Sequence, residues 1–97
     1  MNRSLLERRL AEASEQLKQL RLELAVADEQ MAHFADEADE ARLRSLVSET
    51  PLAEREHREA DRHAETMRRH REDVVRSIER IERLQDELLD KLIEAMS

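Results

Sequence analysis

The sequence contains no glycine, no cysteine and only one proline, and it has a single aromatic residue among its 97 residues. Without cysteine it has neither disulfides nor a cysteine-based metal motif. With 42% charged residues and almost no aromatic ones, it cannot build a thick globular core. Its first residues become charged too early for a signal sequence, and no apolar run approaches the length of a membrane span. We therefore expect a cytoplasmic protein with no membrane partner.

The only proline, Pro51, marks the only plausible turn, and helix-forming sequence of about equal length lies on either side of it. Thr50 suits a helix N-cap and Pro51 the first helical position, because proline has a fixed φ and no backbone N–H. The preceding helix must then end near Ser48. Since there is no glycine for the usual left-handed cap, we expect Ser48 or Glu49 to take up the bend with polar side chains.

Apolar residues recur in alternating steps of three and four on both sides of the turn, which is the spacing of a coiled-coil seam. Before the turn the seam positions are Leu6, Leu10, Ala13, Leu17, Leu20, Leu24, Ala27, Met31, Phe34, Ala38 and Ala41. After the turn they are Ala60, Ala64, Met67, Arg71, Val74, Ile78, Ile81, Gln85, Leu88, Leu92 and Ala95. If the chain folds back at the turn, the numbers of facing residues sum to about 98, and the facing side chains match in size. Flanking charges agree with this register, since Asp28 approaches Arg68 and Glu37 approaches His63.

This pattern predicts an all-α fold, a long antiparallel two-helix hairpin with coiled-coil packing. We expect helices at about 3–47 and 51–96 around a turn at 48–50, in a single domain over residues 1–97. A two-helix seam buries little surface, and small cores are marginal without oligomerisation. We therefore predict a homodimer in which a second copy completes a four-helix bundle.

Apolar residues outside the seam concentrate toward the open end of the hairpin, away from the turn. Isolated surface leucines are ordinary, but the apolar face near the end of the second helix is too wide for a two-helix seam. This excess favours a partner there. The predicted dimer interface consists of Leu5, Leu22, Val26, Leu84, Leu89, Ile93 and Met96.

A second group of apolar residues lies off the seam beside the turn. In one interpretation these residues close over one another and over Ala53, and so seal the end of the seam. In the other they form a contact tip for a protein partner, with acidic residues as polar edges. The predicted tip site consists of Leu43, Leu46, Val47, Glu49, Leu52 and Glu54.

Glu54 and His57 have the Glu-x-x-His spacing that is found in di-iron helical bundles. A complete site of that kind needs a second such pair and two further glutamates, and the sequence has no second Glu-x-x-His. A homodimer could duplicate the single pair. We expect no metal and no other cofactor, and we keep a metal-binding bundle as a remote alternative.

The charge distribution does not favour nucleic acid. The net charge is -7, and acidic residues outnumber basic ones in both halves of the chain. Five arginines at heptad spacing could follow a phosphate backbone, but acidic residues three or four positions away neutralise them. These arginines are Arg55, Arg62, Arg69, Arg76 and Arg83. We interpret both this row and the acidic stretch at 28–40 as solvated helix faces.

The sequence shows no nucleophile with a partner base, no phosphate loop and no aromatic stacking surface, so we expect no enzymatic activity. The leading hypothesis is a coiled-coil interaction module (an adaptor, regulator or assembly chaperone) that presents its tip or an outer face to a protein partner. In hairpin length and in its acidic tip residues, Glu49 and Glu54, the architecture resembles the Gre-type transcript-cleavage factors, whose hairpin enters the RNA polymerase secondary channel. The resemblance is one of shape, because no tip motif matches residue by residue. It implies an alternative function, a transcription regulator that inserts its tip into RNA polymerase.

Overall fold

The computed structural model describes residues 2–97 and shows an all-α helical hairpin. Helix α1 covers Arg3–Ser48 and helix α2 covers Pro51–Met96. These bounds differ from the predicted ones by one residue, at the end of α1. The contacts within the chain form two compact units, each built from both helices. The open-end unit comprises the residues up to Leu24 together with Val74–Ser97, and the turn-end unit comprises Ala25–Asp73.

Both helices begin with a side-chain cap. The Asn2 side-chain oxygen accepts a hydrogen bond from the Leu5 backbone N–H at 2.8 Å. At the start of α2, the Thr50 hydroxyl oxygen accepts a hydrogen bond from the Ala53 N–H at 3.1 Å, which confirms the predicted N-cap. Each cap satisfies one of the backbone donors that a helix start leaves without an intrahelical partner.

Helix α1 ends through the backbone of Glu49, which adopts a left-handed conformation with a φ of 52°. The Glu49 N–H donates a hydrogen bond to the Ser45 carbonyl at 3.1 Å, as glycine usually does at this position of a helix end. A side chain in this conformation costs roughly 1–2 kcal/mol, because Cβ approaches the following carbonyl. Glu49 is therefore one of the two residues predicted to take up the bend, but it does so with a left-handed backbone, which was not expected without glycine.

Large aliphatic side chains fill the seam of the open-end unit. Its buried residues are Leu6, Ala13, Leu17, Val74, Ile81 and Leu88. Leu17 and Ile81 belong to one buried cluster, against which Leu20 and Ile78 pack, in agreement with the predicted register. Gln85, a polar interruption of the seam, donates a hydrogen bond from its amide to the Ser14 hydroxyl at 3.0 Å. The interruption is therefore accommodated by pairing across the helices.

The buried residues of the turn-end unit are all alanines: Ala27, Ala38, Ala41 and Ala53. Its larger seam residues, such as Phe34, are half-buried. The Phe34 ring lies edge-on to His33 on its own helix and to His63 on α2, with ring centroids 5.5 Å and 5.9 Å apart. Small buried residues leave this part of the seam with little apolar volume.

Arg71, the other polar interruption, forms a hydrogen-bonded ion pair with Asp28 across the helices. The sequence pattern had assigned Asp28 to Arg68, and that assignment was wrong. The Arg68 guanidinium is held on its own helix by Glu65 and Glu72, because residues three and four apart are neighbours on a helix surface. Within the described residues, neither helix has an apolar window long enough to cross a membrane.

Candidate functional site

The apolar residues beside the turn lie on the surface. Val47 is 85% exposed, and Leu43, Leu46 and Leu52 are each 62% exposed. Ala41 and Ala53, in contrast, are buried and close the end of the seam. The interpretation in which the larger residues seal the seam is therefore wrong. These four residues are exposed near the turn, and we call them together the tip.

The helical geometry explains this exposure. Leu43 follows the buried Ala41 by two residues, which is about 160° around the helix at 3.6 residues per turn. Val47 is one turn further along the same face. Both side chains therefore point away from α2. Leu52 is the second residue of α2, and the Thr50 cap fixes the direction in which that helix begins.

The polar residues of the tip balance one another. Glu49 is exposed at the bend. On the first turns of α2, a carboxylate oxygen of Glu54 lies 4.0 Å from a guanidinium nitrogen of Arg58. Residues 42–59 contain four basic and four acidic side chains, so this segment has no net charge at pH 7 while the whole chain carries -7. The tip is thus an apolar surface without a dominant charge.

The predicted dimer residues do not lie on one surface. Leu89, Ile93 and Met96 follow one another at helical spacing and are 45%, 63% and 61% exposed. We call these three residues the α2 strip. Leu84, five residues before Leu89, lies about 140° away around the helix, on the other flank of the seam.

The remaining dimer candidates are on α1. Leu22 is exposed and lies two residues from both Leu20 and Leu24, so it points away from α2. Leu5 is half-buried. Val26 is exposed and belongs to the turn-end unit. The spacing of apolar residues did not show that these candidates lie on different sides of the hairpin. The angle of each residue around its helix, measured from the seam, would have shown it.

The Glu-x-x-His pair does not form part of a metal site in this structure. His57 is half-buried, and its Nε2 atom lies 3.1 Å from a carboxylate oxygen of Asp61, while Glu54 lies near Arg58. Among residues 2–97 there is no group of three or more His, Asp or Glu side chains arranged to hold a metal ion.

An acidic cleft of about 310 Å³ lies between the helices near the turn. Its lining contains four glutamates, Glu37, Glu40, Glu56 and Glu59, together with Arg44 and His63. Glu37 also lies 3.2 Å from the His33 Nε2 atom on its own helix. The sequence pattern placed Glu37 near His63 but did not single out this group. The predicted register could have identified this acidic cleft, since it places these residues of α1 and α2 opposite one another across the seam.

Arg68 forms ion pairs with two glutamates of its own helix, Glu65 and Glu72. The hydrogen bond from Arg68 lowers the pKa of Glu65 from 4.5 to about 2, and Arg69 adds to this effect. Glu65 in turn raises the pKa of Arg68. The resulting stabilisation is fully present above pH 4.5 and is lost as the pH falls toward 2. Because these groups are exposed to solvent, which screens the charges, the contribution is small.

Comparison of the chain with protein-family models, with curated proteins and with solved structures found no match. The functional argument therefore depends on the residues themselves.

Proposed function

We propose that the protein is a non-enzymatic coiled-coil interaction module that binds a protein partner through its tip, as an adaptor, regulator or assembly chaperone in the cytoplasm. The observation that supports this proposal is the exposure of four large apolar side chains where buried alanines already close the seam. A concentration of exposed large apolar side chains in one short part of a protein is characteristic of interaction surfaces.

The shape and charge of the tip indicate the kind of contact. A protruding apolar surface without net charge fits a concave apolar pocket, and its binding depends little on electrostatic attraction. We therefore expect the interaction to persist at high salt, which would distinguish it from association with a basic partner or with nucleic acid.

The experiment is affinity capture from native lysate with three forms of the protein. The double variant Leu46→Ser, Val47→Gln removes half of the apolar tip. The control Leu22→Ser removes a side chain of similar exposure, 58%, from the open-end unit. We expect the tip variant to lose the captured partner and the control to retain it. Equal capture by all three forms would exclude the tip as the binding surface.

The alternative is that the tip enters RNA polymerase as a transcription regulator. The hairpin fold and the two acidic residues at the tip, Glu49 and Glu54, support this possibility. A photo-crosslinker at position 47 would distinguish the two functions. Crosslinks to RNA polymerase subunits would support the regulator, and crosslinks to other proteins would support the general interaction module.

A second copy of the chain is part of the main proposal. The α2 strip supports a homodimer, because three large apolar side chains stay exposed beside the seam. A metal-binding bundle has no comparable support. Metal analysis of the purified protein tests that function directly, since a stoichiometric transition metal would favour it.

A further inference from the structure

The α2 strip lies on an identifiable side of the open-end unit. Leu89 follows Glu82 by seven residues and therefore lies on the same side of α2. A carboxylate oxygen of Glu82 lies 4.0 Å from a guanidinium nitrogen of Arg21 on α1. Arg3 precedes Arg21 by 18 residues, five complete turns at 3.6 residues per turn. The half-buried Leu10 lies near the same line. We call this surface the Arg21 side.

The two helices carry opposite charges along the Arg21 side. On α1 the ionisable residues are Arg3, Lys18 and Arg21, together with Glu7, which pairs with Arg3 at 3.0 Å. On α2 they are Glu82 and Asp86, which share a side with Leu89 and Ile93 at steps of three and four residues. The α1 edge is therefore net positive and the α2 edge net negative, with Leu89 and Ile93 on the negative helix.

From this charge pattern we infer how the proposed homodimer is arranged: a second copy packs on the Arg21 side, with its α1 over the α2 strip of the first. This inference depends on the second copy in the proposed function. Two symmetric arrangements place the Arg21 side against itself. One puts each α2 over the other α2, so that acidic residues face acidic residues. The other puts α1 over α2 and pairs opposite charges, which electrostatic complementarity favours.

The favoured arrangement also satisfies the packing rules. Every neighbouring pair of helices is antiparallel, as in four-helix bundles with short loops. Leu10 of the second copy lies at the level of Leu89, so two apolar side chains that a single hairpin leaves partly exposed cover each other. Leu84 lies on the opposite flank and remains outside the interface.

Sedimentation equilibrium of the full chain tests the interface. Replacing Leu89 and Ile93 by Glu should raise the dimer dissociation constant at least about 100-fold, since buried apolar anchors dominate interface energies. Leu84→Glu is the matched control on the same helix and should change it by less than about 3-fold. A monomeric wild type at about 50 μM, or an equal effect of the control, would overturn the inference.

Charge reversal tests the arrangement. Glu82→Lys alone and Lys18→Glu alone should each weaken the dimer, because Lys18 of the second copy lies close to the level of Glu82, and the double variant should recover most of the wild-type affinity. If α2 instead faced α2, Glu82→Lys would relieve repulsion and strengthen the dimer, which would contradict the inference. Partner capture through the tip is measured separately, so loss of the dimer with intact capture would leave the proposed tip function standing.

Discussion

The two units of the hairpin differ in the size of the side chains that their seams bury. In the open-end unit, leucine, isoleucine and valine are buried in the seam, whereas every buried residue of the turn-end unit is alanine. Both units expose large apolar residues, the turn-end unit at the tip and the open-end unit at Leu22, Leu84 and the α2 strip. The open end also buries large side chains, which hold its helices together. At the turn end no large apolar side chain is fully buried, so the large residues of the tip are not matched by a large core.

The largest expected effect is the loss of a core side chain at the open end. Leu17→Ala should lower the free energy of unfolding by about 3 kcal/mol, because it removes a buried side chain and leaves a cavity. Leu22→Ala, on the exposed back of the same helix, should change it by less than about 0.5 kcal/mol. Chemical denaturation followed by circular dichroism measures both. Similar values would remove the distinction between the seam and the back of α1.

A second prediction concerns the small seam of the turn end. Ala41→Leu should destabilise the protein by about 2 kcal/mol, because Ala41 is 2% exposed and three more carbon atoms must either displace seam neighbours or enter the acidic cleft that Ala41 also lines. Leu43→Ala, two residues away, should cost less than about 0.5 kcal/mol. Thermal denaturation of the two variants gives the comparison. A stabilising Ala41→Leu would mean that the turn end is underpacked.

A smaller effect is expected at the tip. Leu46→Ser with Val47→Gln should cost about 1 kcal/mol in total, because exposed side chains contribute little burial. The same denaturation measurement applies. Unfolding of this variant would show that the tip residues are structural, and the partner surface would then have to lie on the outer helix faces.

The smallest effect has the opposite sign. Glu49→Gly should stabilise the protein by about 0.5 kcal/mol, since relief of the left-handed conformation exceeds the entropy that glycine adds to the unfolded chain. Ser48→Gly, at the last residue of α1, is the control and should destabilise by about 0.5 kcal/mol. If Glu49→Gly destabilised as much as Ser48→Gly, the left-handed cap would be incorrect.

Sequence periodicity predicted the fold and the seam well. All eleven predicted seam positions of α1 are buried or half-buried, and Ala95 is the only exposed one on α2. A step of three or four residues repeated along a helix defines one face, and burial of that face follows from the period. The N-cap at Thr50 could also be predicted from the sequence, because the residue types next to the helix start decide it.

Other features of the structure depend on three-dimensional geometry that the spacing of apolar residues does not reveal. The left-handed Glu49 was missed because a glutamate in that conformation is disfavoured locally and is tolerated only when both helices fix the turn. The pairing of Asp28 with Arg71 depended on side-chain reach and on competition from the neighbours of Arg68. The separation of Leu84 from Leu89 required the angular position of each residue relative to the partner helix. The tip residues were identified from sequence as off the seam, but only the structure showed how exposed they are.

The central claim is that the large apolar residues of the tip lie on the surface while the fully buried residues of the turn-end seam are alanines. Because the chain has no cysteine, single-cysteine variants Val47→Cys and Ala41→Cys can be compared directly by their rates of thiol labelling under native conditions. The account predicts that the thiol of the Val47→Cys variant reacts at nearly the rate of a model peptide. The thiol of the Ala41→Cys variant should react at least about 100-fold more slowly, because its labelling requires local unfolding. Comparable rates in the two variants, or a protected thiol at position 47 in the isolated protein, would contradict the account.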